Sequence, residues 1–338
     1  MTELPGVDLE KLTAWIDTAL PGLRTGDLDG AVIAGGKSNL TYRITDGAST
    51  WALRRPPLAH VLPTAHDMTR EYRVISALKD SPVPVAPAIA LCADASVLGA
   101  PFYLMGFVDG VVLDKPKVLR ELAAEDAANA CELLMDTLVA LHEIDPEGVG
   151  LADFGRPDGF LARNVNRWHQ QWQASETRPL AELDAVLTRL TNQLPEQSAP
   201  GIVHGDYRLT NVMFAPDIER IAAVVDWEMA TLGDPLTDVG LLVVYQELAA
   251  QGDAVMPTMR PDQGFLTADE MVDRYAARSP RNLDALDWYV GFGYFKLAVV
   301  AEGIHHRYLA GKTVGEGFDH FGAAVPLLLG AALQRLEK

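Results

Sequence analysis

Val203-His204-Gly205-Asp206-Tyr207-Arg208-Leu209-Thr210-Asn211 is the stretch on which the reading of this 338-residue chain turns. A histidine and an aspartate flank one glycine, and an asparagine follows the aspartate by five positions. Short apolar runs, Ile202-Val203 and Val212-Met213-Phe214, bracket the polar residues, which places them in a loop between two strands. An aspartate so placed can orient or accept the proton of an attacking hydroxyl, and an asparagine at the far end of the loop can bind a Mg²⁺ beside it. Asp226 stands fifteen residues beyond Asn211, at the end of Ile221-Ala222-Ala223-Val224-Val225. A carboxylate at a strand end suits a metal that bridges phosphates, and Mg²⁺ keeps several waters and needs few protein ligands. Loop caps and turn residues are the competing reading. They account for each residue singly but not for the three together in a strand–loop–strand context.

Outward from this loop, the chain changes texture near residue 107. Before it, β-like runs alternate with turns: Ala31–Ala34, Leu40–Thr45, Trp51–Arg54, Ala88–Cys92 and Phe102–Phe107. Asp46-Gly47-Ala48-Ser49 reads as a hairpin turn. A helix is expected over Leu9–Leu20, stopped by Pro21-Gly22, and another over Thr64–Lys79. After residue 107 helical patterns dominate. One long amphipathic helix is expected over Val118–His142, with others near 159–173, 180–194, 235–250, 267–278, 284–310 and 318–337. The expected architecture is α+β, with a small β-rich lobe at 1–107 and a larger helical lobe at 108–338.

Composition narrows the classes of function. The chain carries 28 Lys+Arg against 46 Asp+Glu, a formal net charge of −18. That balance opposes general affinity for nucleic acid or anionic membrane surfaces, which need positive charge, although it leaves room for a local basic pocket. With 49% hydrophobic and 22% charged residues the chain is of globular type. Cys92 and Cys131 are too few for a disulfide framework and lack metal-ligand spacing, so both are expected as reduced thiols in a cytoplasmic protein. No apolar run approaches the ~20 residues that span a bilayer, and Met1–Leu12 has no signal-peptide pattern.

The loop has the kinase spacing H-x-D-x-x-x-x-N. Together with Val225-Asp226-Trp227-Glu228 and Gly233-Asp234-Pro235-Leu236-Thr237-Asp238, it resembles the aminoglycoside phosphotransferase and choline kinase-like superfamily, over about residues 28–310. Leu53-Arg54-Arg55-Pro56-Pro57, His204–Arg208 and Asp226-Trp227-Glu228 are similar to the kinase-like domains fused to some acyl-CoA dehydrogenases and to their stand-alone bacterial relatives. The resemblance implies a two-lobed protein-kinase-like fold that uses ATP and Mg²⁺ on a small-molecule hydroxyl. It makes Asp206 the catalytic base and Asn211 and Asp226 the metal ligands.

Other expected sites follow the same plan. Ala34-Gly35-Gly36-Lys37-Ser38-Asn39-Leu40 lies between two β-like runs, where Gly35 and Gly36 allow close backbone approach to a polyphosphate and Ser38 and Asn39 could add donors. An ordinary hairpin turn fits that loop equally. Arg54 occupies the place of the phosphate-pairing lysine in the Val-Ala-Ile-Lys strand, keeping the charge and adding a forked donor. Glu71 is its candidate partner, with Arg55, Arg70 and Arg73 as nearby alternatives. By resemblance the backbone of Gly106 and Val108 meets the adenine edge, while a plain core strand fits the same residues. Asp234 reads as a helix cap, and by resemblance Asp238 is a structural brace below the loop. His142 is expected at a helix C-terminus, where an imidazolium is favoured. Trp168, His169 and Trp172 form a helical stripe more suited to core packing than to a ligand, and adjacent His305 and His306 point too far apart to share a metal.

The interval from Asp226 to Asp238 is too short for an activation segment, which disfavours a protein kinase. Two other readings stay open: an aminoglycoside antibiotic phosphotransferase, and a non-catalytic nucleotide-binding protein of the same fold. Fold membership does not fix the acceptor, and nothing in the sequence bears on oligomeric state.

Overall fold

The computed structural model describes residues 4–33, 39–58, 67–250, 259–312 and 317–338. The chain divides into two compact units, Met1–Val111 with Ala222–Ala230, and Val112–Ile221 with Thr231–Lys338. The segment Ala222–Ala230 thus packs with the first unit although it lies far along the sequence.

The first unit is built on an antiparallel sheet. Its strands are β1 (Asp29–Val32), β2 (Leu40–Thr45), β3 (Thr50–Arg55), β4 (Ala88–Cys92) and β5 (Phe102–Gly106), in the order β1-β2-β3-β5-β4. Helices α1 (Leu9–Ala19), α2 (Met68–Ala77) and the short α3 (Ala95–Leu98) complete it. The expected strands are present, and the hairpin turn falls at Asp46–Ser49, where the Asp46 carboxylate accepts the N–H groups of Ala48 and Ser49 at 3.0 and 2.6 Å. Two alternating apolar positions on β2, Tyr42 and Ile44, are fully buried with Leu53, Phe102 and Leu104. Residues two apart on a strand share one face, so this alternation commits one side of the sheet to the core. Leu12 and Ile16 of α1 bury against the same cluster, and Asp8 caps that helix by accepting from Glu10 and Lys11.

Register places the polar face as firmly. Arg54 on β3 pairs with Thr41 on β2 and Tyr103 on β5. The three side chains therefore stand side by side across the sheet.

The second unit is mainly helical. After β6 (Val111–Val112) come α4 (Pro116–Glu121), α5 (Ala124–His142), α6 (Phe160–Ser175) and α7 (Ala181–Asn192). The strands β7 (Gly201–Val203), β8 (Val212–Phe214) and β10 (Thr231–Gly233) follow, with β7 and β10 pairing antiparallel, while β9 (Ile221–Val224) opens the segment that packs with the first unit. Helices α8 (Leu236–Ala250), α9 (Ala268–Arg278), α10 (Leu286–Leu309) and α11 (Phe321–Leu336) close the chain. The single helix expected over 118–142 is two: Leu122 and Ala123 adopt extended backbone, and α5 starts afresh at Ala124. α5 then buries Ala127, Ala130, Cys131, Leu134, Leu138 and Leu141, the stripe of a helix packed on one side.

Helices α8 and α10 are apolar on nearly every side and form the centre of this unit. They approach closely because position 240 carries no side chain. A Cβ built on Gly240 would lie 2.5 Å from the backbone carbon and oxygen of Tyr289. Neither helix can yield without disturbing a packed core. Replacing Gly240 with alanine is expected to cost about 1–3 kcal/mol, read as a lower urea midpoint. An unchanged midpoint would contradict this packing.

Candidate active site

Within the first unit, Arg54 is the hub. Its Nε donates to Glu71 Oε2 at 2.7 Å, its Nη1 to Thr41 Oγ1 at 3.4 Å, and its Nη2 to Asp226 Oδ1. Glu71 on α2 is buried, and besides Arg54 it accepts from Tyr103 OH at 3.0 Å and Asn39 Nδ2 at 2.6 Å. Burial works against the guanidinium charge, but Glu71, Tyr103 and Asp226 outweigh it and hold Arg54 above its ordinary range. Burial likewise pushes Glu71 up, against the pull of Arg54. A buried pair of this kind stands only when its remaining donors and acceptors are met, and Tyr103 and Asn39 supply them.

Asp226 reaches Arg54 through unusual backbone. Its φ of 66° and ψ of 57° lie in the left-handed region, which a residue with a Cβ enters at some cost. Trp227 anchors the turn by donating from its indole to Val224 O at 3.0 Å, and Val224 N–H donates to Pro84 O at 2.8 Å.

The structure bears on two of the site residues expected in this unit. Asn39 does not present a donor outward. It is buried, and its Nδ2 is spent on Glu71 and, at 3.2 Å, on Glu228, while its Oδ1 is buried without a partner. Gly106 N–H is spent on Pro87 O at 2.8 Å, and Val108 follows the strand partly exposed. Gly35, Gly36 and Ser38 lie outside the described residues.

Within the second unit, the loop 204–211 is held from below by a buried charge. The Asp238 carboxylate accepts the N–H of His204 at 2.7 Å and of Gly205 at 2.8 Å. Gly205 adopts φ +86°, which a glycine enters freely, and the chain then turns to present Asp206. Asp206 Oδ1 accepts from Tyr245 OH at 2.9 Å, and Oδ2 accepts from Asn211 Nδ2 at 2.9 Å, with Arg208 Nε 3.5 Å away. Asn211 Nδ2 also donates to Asp206 O at 2.8 Å. The asparagine nitrogen is thereby committed to the loop, and its Oδ1 is the atom that could meet a cation. In the first unit, taken by itself, Asp226 has a second carboxylate oxygen beyond the one on Arg54. Hard oxygen donors of this kind fit Mg²⁺, which is commonly held by one or two carboxylates together with substrate phosphates. Among the described residues no cluster of three or more His, Cys, Asp or Glu forms a protein-only metal cage.

Asp238 braces the loop and Asp234 caps α8, accepting from Leu236 N at 3.1 Å and also from Ser198 and Tyr289. The Trp168 and Trp172 side chains are buried as core. The expectation at His142 is corrected. It does end α5, but it is 1% exposed, with Nδ1 2.8 Å from Tyr275 OH and Nε2 3.5 Å from Asp238. Burial, the larger influence, pulls its pKa down against the pull of the Asp238 carboxylate.

Two residues beside Asp206 escaped the sequence reading. Tyr245 lies in an apolar run, Val239–Tyr245, and looks like core. Lys296 on α10 carried a usable signal, since a lysine inside the apolar run Tyr294-Phe295-Lys296-Leu297-Ala298 requires a reason. Its Nζ donates to Gly205 O and lies 5.4 Å from the Trp168 ring centroid.

With this geometry in view, the comparisons give the class. The fold and the loop are those of a kinase-type phosphotransferase. The chain belongs to the phosphotransferase enzyme family, whose profile matches residues 29–280. It is similar to acyl-CoA dehydrogenase family member 10 of Mus musculus, 32% identical over 297 residues, covering 86% of this chain and 27% of that protein. The chain therefore spans about a quarter of the length of that relative. A Ralstonia eutropha protein whose crystal structure bears the name aminoglycoside phosphotransferase matches with a TM-score of 0.85 and 30% identity, covering 98% of both chains. A ternary complex of aminoglycoside phosphotransferase APH(4)-Ia with AMP-PNP and hygromycin B shares the fold at a TM-score of 0.62 and 14% identity, covering 97% of this chain and 98% of that one. Among the described residues no helix is long and apolar enough to cross a membrane.

The buried His142–Asp238 pair makes a prediction with a definite sign. A group whose folded pKa is depressed binds more protons unfolded, so its contribution is present above the unfolded value and lost as pH falls. For His142 the loss begins near 6.5. Asp238 is pushed up by burial but pulled down further by His142 and the His204 N–H, so it acts in the same direction at lower pH. The melting temperature is expected to fall as pH drops below about 6.5, and His142→Gln should flatten the first part of that slope. Equal slopes in the two proteins would contradict a neutral, buried His142.

Proposed function

We propose that the chain transfers the γ-phosphoryl group of ATP to a hydroxyl of a small molecule, a metabolic alcohol or hydroxyacyl compound rather than an aminoglycoside. The observation that carries this reading is the carboxylate of Asp206. It is fixed by Tyr245 and Asn211 on separate oxygens and set on a glycine turn that Asp238 holds in place. Each carboxylate oxygen has a second lone pair, so the acid can still accept a hydroxyl proton. In the step proposed, the acceptor oxygen bonds to the γ-phosphorus, its proton passes to Asp206, and the bond to the β-phosphate oxygen breaks to release ADP. Fixing the base before the substrate arrives lowers the cost of alignment.

Arg54, held by Glu71, supplies a fixed cation for the phosphates. Gly35, Gly36 and Ser38 are proposed as the loop that covers them, and the backbone of Gly106 and Val108 as the adenine contact. Asn211 Oδ1 and Asp226 would hold Mg²⁺, which when bound neutralises charge on the phosphates. The preference for a metabolic acceptor is supported by the match to a relative named for acyl-CoA dehydrogenases. The aminoglycoside reading is supported by the name of the Ralstonia structure, and a phosphate-transfer screen against both acceptor classes separates the two.

Replacing Asp206 with alanine is expected to cut turnover by ~10²–10⁴ while ATP binding persists, as befits a general base. Transfer at an unchanged rate would remove Asp206 from the chemistry. Loss of nucleotide binding would assign it a structural role instead. Replacing Arg54 with alanine should instead weaken nucleotide binding, by about tenfold or more for a charge-assisted contact, seen as a loss of the thermal shift with ATP and Mg²⁺. An undiminished shift would count against the assignment of Arg54 to the phosphates.

A further inference from the structure

The chain as a whole is strongly acidic, yet the surroundings of Asp206 within the second unit are not. Three cations from three elements gather there: Arg167 on α6, Arg208 in the loop and Lys296 on α10. Arg167 and Lys296 both approach the ring of Trp168, with 5.4 Å to the centroid in each case, and Arg208 lies 5.4 Å from the ring centroid of Tyr245. Two carboxylates face Lys296, those of Asp206 and Asp238. Asp238 is spent on two backbone N–H groups, and Asp206 is engaged by Tyr245 and Asn211 and by Arg208 at 3.5 Å. Three cations against two carboxylates leave the local balance positive in a chain whose net charge is −18.

Lys296 is the least compensated of the three. Its amine donates to the carbonyl of Gly205, the residue before Asp206, and faces the Trp168 ring. No carboxylate lies within ion-pair distance of its Nζ among the contacts of the described residues. Burial pulls its pKa down, and Arg167 and Arg208 pull the same way, against Asp206 and Asp238. A half-buried ammonium without an ion-pair partner is costly to keep, and an anionic ligand would relieve that cost.

We propose that Lys296 is the specificity-determining residue of the acceptor site, and that the acceptor it selects is a small hydroxy compound carrying a carboxylate near its reacting hydroxyl. This deepens the phosphotransferase reading and rests on its assignment of Asp206. In the bound state the carboxylate meets the Lys296 ammonium, the Arg208 guanidinium strengthens the local positive field, and Tyr245 walls the carbon chain. The same three cations repel a polycation, so aminoglycosides are rejected by charge.

The test is a binding series that needs no turnover. Monohydroxy carboxylates of four to eight carbons are titrated into the protein holding AMP-PNP and Mg²⁺, by calorimetry. Beside them go the matched diols, with hydroxymethyl in place of the carboxylate, the matched amino alcohols, and kanamycin. The carboxylates should bind tightest, the diols ~10–100-fold more weakly, and the amino alcohols and kanamycin without saturation. In Lys296→Gln the advantage of carboxylate over diol should shrink to a few-fold, and in Lys296→Glu the order should reverse in favour of the amino alcohols. Because position 296 is partly buried, Arg167→Glu on the more exposed α6 site serves as a second variant and should narrow the same advantage. Equal binding across the series, tight binding of kanamycin, absence of saturable carboxylate binding, or an unchanged ranking in well-folded Lys296 variants would each overturn the inference. The charge ranking is distinct from catalysis. A protein that ranks ligands as expected but transfers no phosphate removes the phosphotransferase and keeps the anion site, whereas transfer to polycations does the reverse.

Discussion

The carboxylate of Asp238 is the constraint on which the candidate chemistry depends. It is fully buried, and that burial is sustained by the N–H groups of His204 and Gly205 and by the imidazole of His142. The buried charge fixes two consecutive backbone groups, and these set the glycine turn from which Asp206 projects. The opposite side of the same turn, the carbonyl of Gly205, receives Lys296. One carboxylate at the start of α8 thus fixes the placement of both the candidate base and the candidate acceptor-reading cation. Removing it would strand two buried donors, each at about 1–3 kcal/mol, in addition to misplacing Asp206.

A second buried carboxylate does comparable work in the first unit. Glu71 accepts from Arg54, Tyr103 and Asn39, and so holds the guanidinium in one orientation across the sheet. The fork of an arginine suits this arrangement better than a lysine would. One nitrogen stays with Glu71 while another reaches Asp226, and a single ammonium could not meet both with fixed geometry. Acidic residues dominate the chain overall, but in both units the buried ones hold backbone or basic groups in place.

Much of this was legible in the sequence, and the parts that were not share a physical reason. The loop 204–211, the strand-end Asp226 and the pairing of Arg54 with Glu71 could be read because each rests on residue type at a fixed spacing. The five-stranded sheet could be read from alternation and turn residues. The break between α4 and α5 could not, because Leu122 and Ala123 are good helix formers and only tertiary packing decides there. Asn39 looked like an outward donor because a loop asparagine usually is, while the demands of Glu71 and Glu228 come from residues 32 and 189 positions away. His142 read as a helix C-terminus that favours an imidazolium, and its burial against Tyr275 and Asp238 is again a long-range fact. Tyr245 was hidden in an apolar helix that reads as core, and Lys296, conspicuous as a lysine in an apolar run, carried no sign of the residue it would stand beside.

The central claim is that a small-molecule hydroxyl, and not water or a protein side chain, receives the phosphoryl group. The most direct measurement is to incubate the protein with Mg²⁺, ATP labelled at the γ-phosphate and a mixture of small hydroxylated metabolites, and then to separate the products by mass. The account predicts that label leaves ATP and appears in a phosphate monoester of a carboxylate-bearing alcohol. Label found only in orthophosphate, on the protein itself, or on an added aminoglycoside would contradict it.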